Sequence, residues 1–288
     1  MSLISHASDL EFDHTVMLLA MTGWVDAASV GTDTAERIAG GGEVVAAFEP
    51  DALFDYRSSR PTLHFAGGDL TDVVWPRLEI IHRSIDGVEL LIATGNEPDF
   101  RWQELTREFV DLTRRYRVSK FVTIGAVPAP VPHTRPIRVV CTTSDAGLLR
   151  DGDEVMPEEL VVPGAAVSVL RQGVADAGLP AIGYWAQVPH YLQGPFHNGV
   201  LALIERVGGQ VGVRFPIGDL ALEATAQLEQ IDADLAERED ARQYVERLEL
   251  MRDEGPEFVT PFQDVPSADE IGAEVEKFLR SEGDESGP

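Results

Sequence analysis

Four short apolar runs constrain this chain most: TVMLLAMT (15–22), GVELLIATG (87–95), SKFVTIGAV (119–127) and PAIGYWAQVP (180–189). They are nearly continuous rather than alternating, so each reads as a strand buried on both faces. None reaches the roughly 18 to 20 residues needed to cross a bilayer. Between them lie segments of helical period. GWVDAASVGTDTAERIAGGG (23–42) carries Asp26 near its start and is stopped by Gly40–Gly42. In DFRWQELTREFVDLTRRY (99–116), Trp102, Leu105, Phe109, Leu112 and Tyr116 share one apolar face. PGAAVSVLRQGVADAGL (163–179) and NGVLALIERVGG (198–209) complete the set. This alternation predicts βαβ units: an α/β fold with a mostly parallel sheet and helices on both faces.

Shorter extended pieces fill the gaps. EVVAAFEP and PTLHFA read as strands, DVVWPRLEII as one edge strand broken by Pro76, and IRVVCTTS as a strand burying Cys141. From about residue 218 the pattern becomes helix alone. Leu220, Leu222, Leu228, Ile231 and Leu235, then Tyr244, Val245, Leu248 and Met251, predict two amphipathic helices packed as a hairpin. A proline-containing linker and a last helix, SADEIGAEVEKFLR, follow. The expected organisation is an α/β domain over 1–217, an acidic helical extension over 218–280 and a disordered tail over 281–288.

Charge and cysteine content exclude several functions. The chain of 288 residues carries a formal net charge of −26, which repels phosphate backbones and anionic membranes, so neither nucleic acid nor membrane is an expected partner. The single cysteine makes no internal disulfide, and the N-terminus has neither a basic start nor an apolar stretch; both suit a cytoplasmic location. No Gly-x-Ser-x-Gly elbow, Walker-type loop or Gly-x-Gly-x-x-Gly fingerprint is present, and no cofactor is implied.

In open α/β sheets ligands bind beyond the carboxyl ends of the strands. Four strand ends carry polar residues: Gly23, Trp24 and Asp26; Gly95, Asn96, Glu97, Asp99 and Arg101; His133, Thr134 and Arg135; and His190 with Tyr191. If the strands are parallel, these loops wall one crevice. His133 serves there as a general base or anion ligand, or else only bonds a neighbouring carbonyl. Arg135 binds a carboxylate or phosphate, or closes the loops by pairing with Glu97 or Asp26, the favoured alternative. Glu97 and Asp99 are acid/base candidates or ordinary caps of the following helix. His190 and His197 lack the acidic or cysteine partners of a metal site. The third loop, GAVPAPVPHTRP (125–136), is the stiffest, with four prolines between Pro128 and Pro136.

GWVDA, GNEPDFRW, GAVPAPVPHTRP and AQVPHY, in that order, resemble the bacterial members of the proteasome assembly chaperone family, over roughly residues 12 to 207. The resemblance implies a three-layer α/β/α fold similar to nucleoside phosphorylases and related hydrolases, self-association, and proteasome subunits as partners. Two departures stand out. Val25 and Ala28 occupy positions where bacterial relatives often show Asn and Gly. The sequence ends Glu-Ser-Gly-Pro, without the hydrophobic-Tyr-any tail by which related chaperones dock on the ring. Two readings remain. The favoured one is a non-catalytic oligomeric assembly or binding protein, because no nucleophile or phosphate loop is visible. The alternative is a small-molecule hydrolase or phosphorylase with Glu97 or His133 as base and Arg135 holding an anion.

Overall fold

In a computed structural model that describes residues 3–156, 159–236 and 238–254, eleven strands and seven helices follow one another along the chain. They are β1 (Ile4–Ala7), β2 (Thr15–Met21), α1 (Val30–Ala39), β3 (Glu43–Phe48), α2 (Pro50–Leu53), β4 (Thr62–Ala66), β5 (Asp69–Val74), β6 (Leu78–Ile85) and β7 (Val88–Gly95). Then come α3 (Trp102–Arg115), β8 (Val118–Ala129), β9 (Val139–Thr143), β10 (Glu154–Val155), α4 (Ala166–Asp176), β11 (Ala181–Pro189), α5 (His197–Val211), α6 (Leu220–Ala236) and α7 (Glu239–Glu254). The expected last helix and tail lie outside the described residues.

The four apolar runs are the four central strands. The main sheet runs β1-β3-β6-β7-β2-β8-β11-β9-β10, and β7, β2, β8 and β11 are parallel neighbours. Register places Met21 opposite Gly95 and Ala129 opposite Pro189, so all four carboxyl ends open on one edge. On the flanks β1, β3 and β6 are antiparallel, as is β9 against β11. The sheet is therefore mixed, with a parallel centre.

Helices cover both faces, and the strand side chains show why the runs had to be continuous. Met17, Leu19 and Met21 of β2 join Leu105, Phe109 and Leu112 of α3 and Val167, Leu170 and Val174 of α4 in one core. Leu18 and Ala20 point the other way, into a second core with Val30 and Ile38 of α1 and Val200, Leu203 and Val207 of α5. The result is a three-layer α/β/α arrangement. The extension continues the second core: Leu220 of α6 is buried there, Leu228 and Ile231 pack against it, and α6 lies on α5. Leu222, expected on the apolar face, is exposed instead.

One expectation needs correction, and one strand had no signal in the sequence. DVVWPRLEII is not one edge strand. Pro76 divides it, leaving its first part in β5 and its second in β6, which pairs with strands on both sides. Proline removes a donor only locally, so the chain resumes pairing at Leu78. The N-terminal β1 was also not foreseen; its four residues are too few to show a period.

Candidate functional site

The four polar strand ends share the carboxyl edge of the parallel centre, but their side chains sort into three hydrogen-bonded groups. Asp26 belongs to the start of α1. Its Oδ1 accepts the Gly31 and Thr32 backbone N–H groups at 2.8 and 3.1 Å, and Oδ2 accepts the Thr32 hydroxyl at 2.6 Å. The carboxylate thus satisfies two orphan amides of the helix mouth and a neighbouring hydroxyl. Burial pushes the Asp26 carboxyl up, and those hydrogen bonds counter only part of the effect.

The second group joins the first two loops to the start of α4. Trp24 donates its indole N–H to the Gly164 carbonyl at 3.2 Å, and Glu97 Oε1 accepts the Ala166 N–H at 2.7 Å. Gly23 sits at φ 140°, and a Cβ there would lie 2.8 Å from Glu97 Oε2, so only glycine admits this approach. Asn96 exchanges two bonds with Arg77, receiving its N–H on Oδ1 at 3.0 Å and giving its own N–H to the Arg77 carbonyl at 2.7 Å. Gly95, at φ 147°, precedes it, and a Cβ there would strike the Arg77 carbonyl oxygen at 2.0 Å. Arg101 turns to its own helix and pairs with Glu104 at 2.6 Å. Asp99 accepts the Asp55 N–H and the Ser59 hydroxyl. Burial pushes the Glu97 carboxyl up, and nearby Asp99 adds to the effect.

The third group is the proline loop with the fourth strand end, and its partners come from the C-terminal helices. His133 is buried. Its backbone N–H donates to the Tyr191 hydroxyl at 2.9 Å, Nδ1 meets that hydroxyl at 2.7 Å, and Nε2 meets Asp232 Oδ1 of α6 at 3.0 Å. Burial pushes the Tyr191 phenol up to about 12, so it keeps its proton at neutral pH. That proton goes to Nδ1, and the ring N–H on Nε2 is donated to Asp232. Thr134 donates its hydroxyl to Glu249 of α7. Arg135 grips Asp253 with Nε at 3.0 Å and Nη2 at 2.7 Å, and reaches Glu249 with Nη1 at 3.2 Å. His190 meets its neighbour's Ala129 carbonyl through Nδ1 at 3.0 Å and the Tyr244 hydroxyl of α7 through Nε2 at 3.1 Å. The rings of Tyr191, His190 and Tyr244 meet edge to face, with centroids 5.7 to 6.3 Å apart.

Arg135 therefore closes the loop, but not onto Glu97 or Asp26 as expected. It turns to an acidic pair one helical turn apart, Glu249 and Asp253, on a helix 114 residues further along. His133 and His190 do not face each other across a gap; both pack on Tyr191. Sequence reasoning placed Tyr191 on the crevice wall and Tyr244 on an apolar helix face, and gave no role to Asp232, Glu249 or Asp253. The available signal was the i, i+4 spacing of Glu249 and Asp253 beside Leu248, which puts acids next to a buried apolar stripe. His197 lies apart, at the start of α5, where its backbone N–H donates to Gln227. Of the titratable candidates, Glu97 and Asp99 each keep an oxygen, Oε2 and Oδ1, without a hydrogen bond among the described residues. A general acid or base needs such a group, whereas His133, His190, Arg135 and Asp26 have their polar atoms engaged.

Residues 20–234 match the model of the PAC2 family. Among solved structures, a Mycobacterium tuberculosis protein of unknown function is 30% identical, with a TM-score of 0.78 over 83% of this chain and 83% of its own. A PAC2 family protein from Streptomyces avermitilis is 31% identical, with a TM-score of 0.70 over 81% of this chain and all (100%) of its own. A Mycobacterium tuberculosis proteasome-assembly chaperone homologue is 29% identical, with a TM-score of 0.73 over 80% of this chain and 100% of its own. No curated protein matches the chain. Among the described residues no helix is long and apolar enough to cross a membrane.

Proposed function

This chain belongs to the PAC2 family, and from that premise we propose that it works without catalysis, as a cytoplasmic, oligomeric assembly or docking protein whose partners are proteasome subunits. One observation carries the non-catalytic part. The polar groups of the proline loop and of His190, those best suited to chemistry, are taken up by Asp232, Tyr244, Glu249 and Asp253 of the chain's own helices. A base or anion holder must be open to substrate, and these are latched. The proteasome part is supported by the relative described as a proteasome-assembly chaperone homologue.

The test is to mix the full chain with purified proteasome subunits at near-physiological salt and follow ring formation by native electrophoresis. Co-migration with subunits or faster ring formation is expected. Absence of both overturns the proteasome assignment. A second reading, a small-molecule hydrolase or phosphorylase, draws on the free oxygen of Glu97 and its raised carboxyl. Turnover of a nucleoside or amide substrate that is lost in Glu97→Gln would replace the non-catalytic reading with this one.

A further inference from the structure

The amino edge of the parallel strands, opposite the proline loop, gathers cations on a chain whose net charge is −26. Lys120, the third residue of β8, is one of only two lysines in the sequence; the other is Lys277. Its Nζ donates to the Gln210 carbonyl in the last turn of α5 at 2.9 Å, which engages one of its three protons. The loop from β9 to β10 brings Arg150 to the same place. Arg150 Nε lies 3.9 Å from where a Cβ on Gly209 would stand, so the side chain crosses α5 one residue before that carbonyl. Its guanidinium makes no hydrogen bond or ion pair among the described residues. Burial, and after it the charge of Arg150, pushes the Lys120 ammonium down.

The loop that carries Arg150 is held in place. The Asp153 side chain is only 1% exposed, and its carboxylate accepts the Arg150 N–H at 2.9 Å, the Tyr184 hydroxyl at 3.2 Å and Arg206 Nη1 at 3.2 Å. The Asp153 N–H returns to the Arg150 carbonyl at 3.0 Å, with Gly152 at φ 82° inside the turn. Asp153 is therefore engaged by the turn and by Arg206. Two adjoining hollows of about 500 and 360 Å³ open beside this loop and share Arg150 and Asp151. Lys120 and Gln210 line the larger, and Glu205 and Arg206 line the smaller. Both are within the size range of small-ligand sites.

We propose that Lys120 and Arg150 hold a small phosphate dianion in the larger hollow, either free or as the ester of a hydroxylated carrier. Two cations that disfavour each other's charge are relieved most by a ligand with nearly two negative charges, which a phosphate has near neutral pH and a single carboxylate does not. The guanidinium offers a planar fork to phosphate oxygens, and the ammonium offers a point charge with two protons still open. The acids limit where the anion sits. Glu205 repels it from the smaller hollow, and its carboxylate there is an acceptor for the hydroxyls of a carrier. The site lies on the opposite edge of the sheet from the proline loop, so it stands independently of the reading above.

The lysine count makes a direct test possible. The full chain is acetylated with an N-hydroxysuccinimide ester, and peptide mass spectrometry reads Lys120 against Lys277 in the same molecule. The additions compared are inorganic phosphate, glycerol 3-phosphate and sodium chloride at matched ionic strength. Phosphate or its ester at ten times its dissociation constant should slow Lys120 about tenfold and leave Lys277 unchanged. Chloride should alter neither. Protection by the ester at lower concentration than by phosphate makes the carrier part of the ligand; equal protection assigns the site to free phosphate. Arg150→Gln should raise the half-protecting concentration at least about tenfold. Its far-ultraviolet circular dichroism should match the wild type, because Arg150 is exposed. If neither phosphate protects Lys120 beyond chloride, or if protection survives Arg150→Gln, the site is overturned while the proposed function stands.

Discussion

Replacing Tyr191 by phenylalanine removes one oxygen and leaves volume and charge untouched, which isolates what holds the proline loop. That oxygen accepts the buried His133 N–H at 2.9 Å and bonds Nδ1 of the same residue at 2.7 Å. In the variant the His133 amide and ring nitrogen both lose their partner inside the protein. An orphaned buried donor costs about 1 to 3 kcal/mol, and with the second bond the expected loss is about 2 to 3 kcal/mol. Urea unfolding reads this as a lower midpoint with an unchanged slope. Thermal melting should fall by about 4 to 12 °C for a domain of this size. Hydrogen exchange should localise the effect. The ring contacts of Tyr191 with His190 and Tyr244 tie the loop to α7, so a loop loosened by loss of the hydroxyl should let amides of α7 exchange faster along with His133. A variant within about 0.5 kcal/mol of the wild type, or one that loosens the loop while α7 stays protected, refutes the idea that loop and helices form one latch.

Three further outcomes follow from the same geometry. Leu248→Ala empties one of the two buried apolar positions of α7, at a cost of about 2 to 4 kcal/mol; limited proteolysis should cut within 239–254 first, with the sheet intact. Acid should release α7 before the body. Arg135 holds the Asp253 carboxyl below its ordinary value, so its contribution is complete above the usual carboxylate range near pH 4 and is lost as pH falls through the lowered value. Asp26 and Glu97, pushed up by burial, have the opposite sign: their protonation favours the folded chain, so acid does not loosen the body through them. Exchange in α7 should rise below about pH 4, and Asp253→Asn should abolish that step. Finally, Cys141 is buried and its thiol is pushed up to about 11, so iodoacetamide at pH 8 should label it only in denaturant.

The parts of the fold legible in the sequence were those whose signal is local. Continuous apolar runs announced the four central strands because β2 feeds two cores at once. The apolar stripe from Leu105 to Leu112 announced α3 for the same reason. What escaped was decided by distant partners. β1 exists because β3 offers it an edge, and β6 lies inside the sheet because β3 and β7 flank it; nothing near Pro76 encodes either. At the site, the sequence brought the four loops to one edge, since parallel strands with short connections leave no other arrangement. It could not supply their partners. Arg135 had acids in reach on two loops by sequence reasoning, yet its ligands lie on a helix whose acidity reads, in composition alone, as a solvated surface.

The latch also explains why the loop carries so many prolines. Taken singly, the contacts it makes with α6 and α7 are of the weak kind. Asp232, which accepts from His133, is 65% exposed, and Asp253 is 54% exposed; an exposed ion pair such as Arg135–Asp253 contributes little once screening and side-chain ordering are counted. Such contacts add up only if one side is already ordered before the other arrives. Pro128, Pro130, Pro132 and Pro136 fix four φ angles across nine residues, and Tyr191 pins His133 by its backbone as well as its ring. The entropy of placing His133, Thr134 and Arg135 is therefore spent when the sheet folds, not when the helices dock. A flexible loop of the same composition would lose its ion pairs to that ordering cost, and α7, with only Val245 and Leu248 buried, would have little else to hold it.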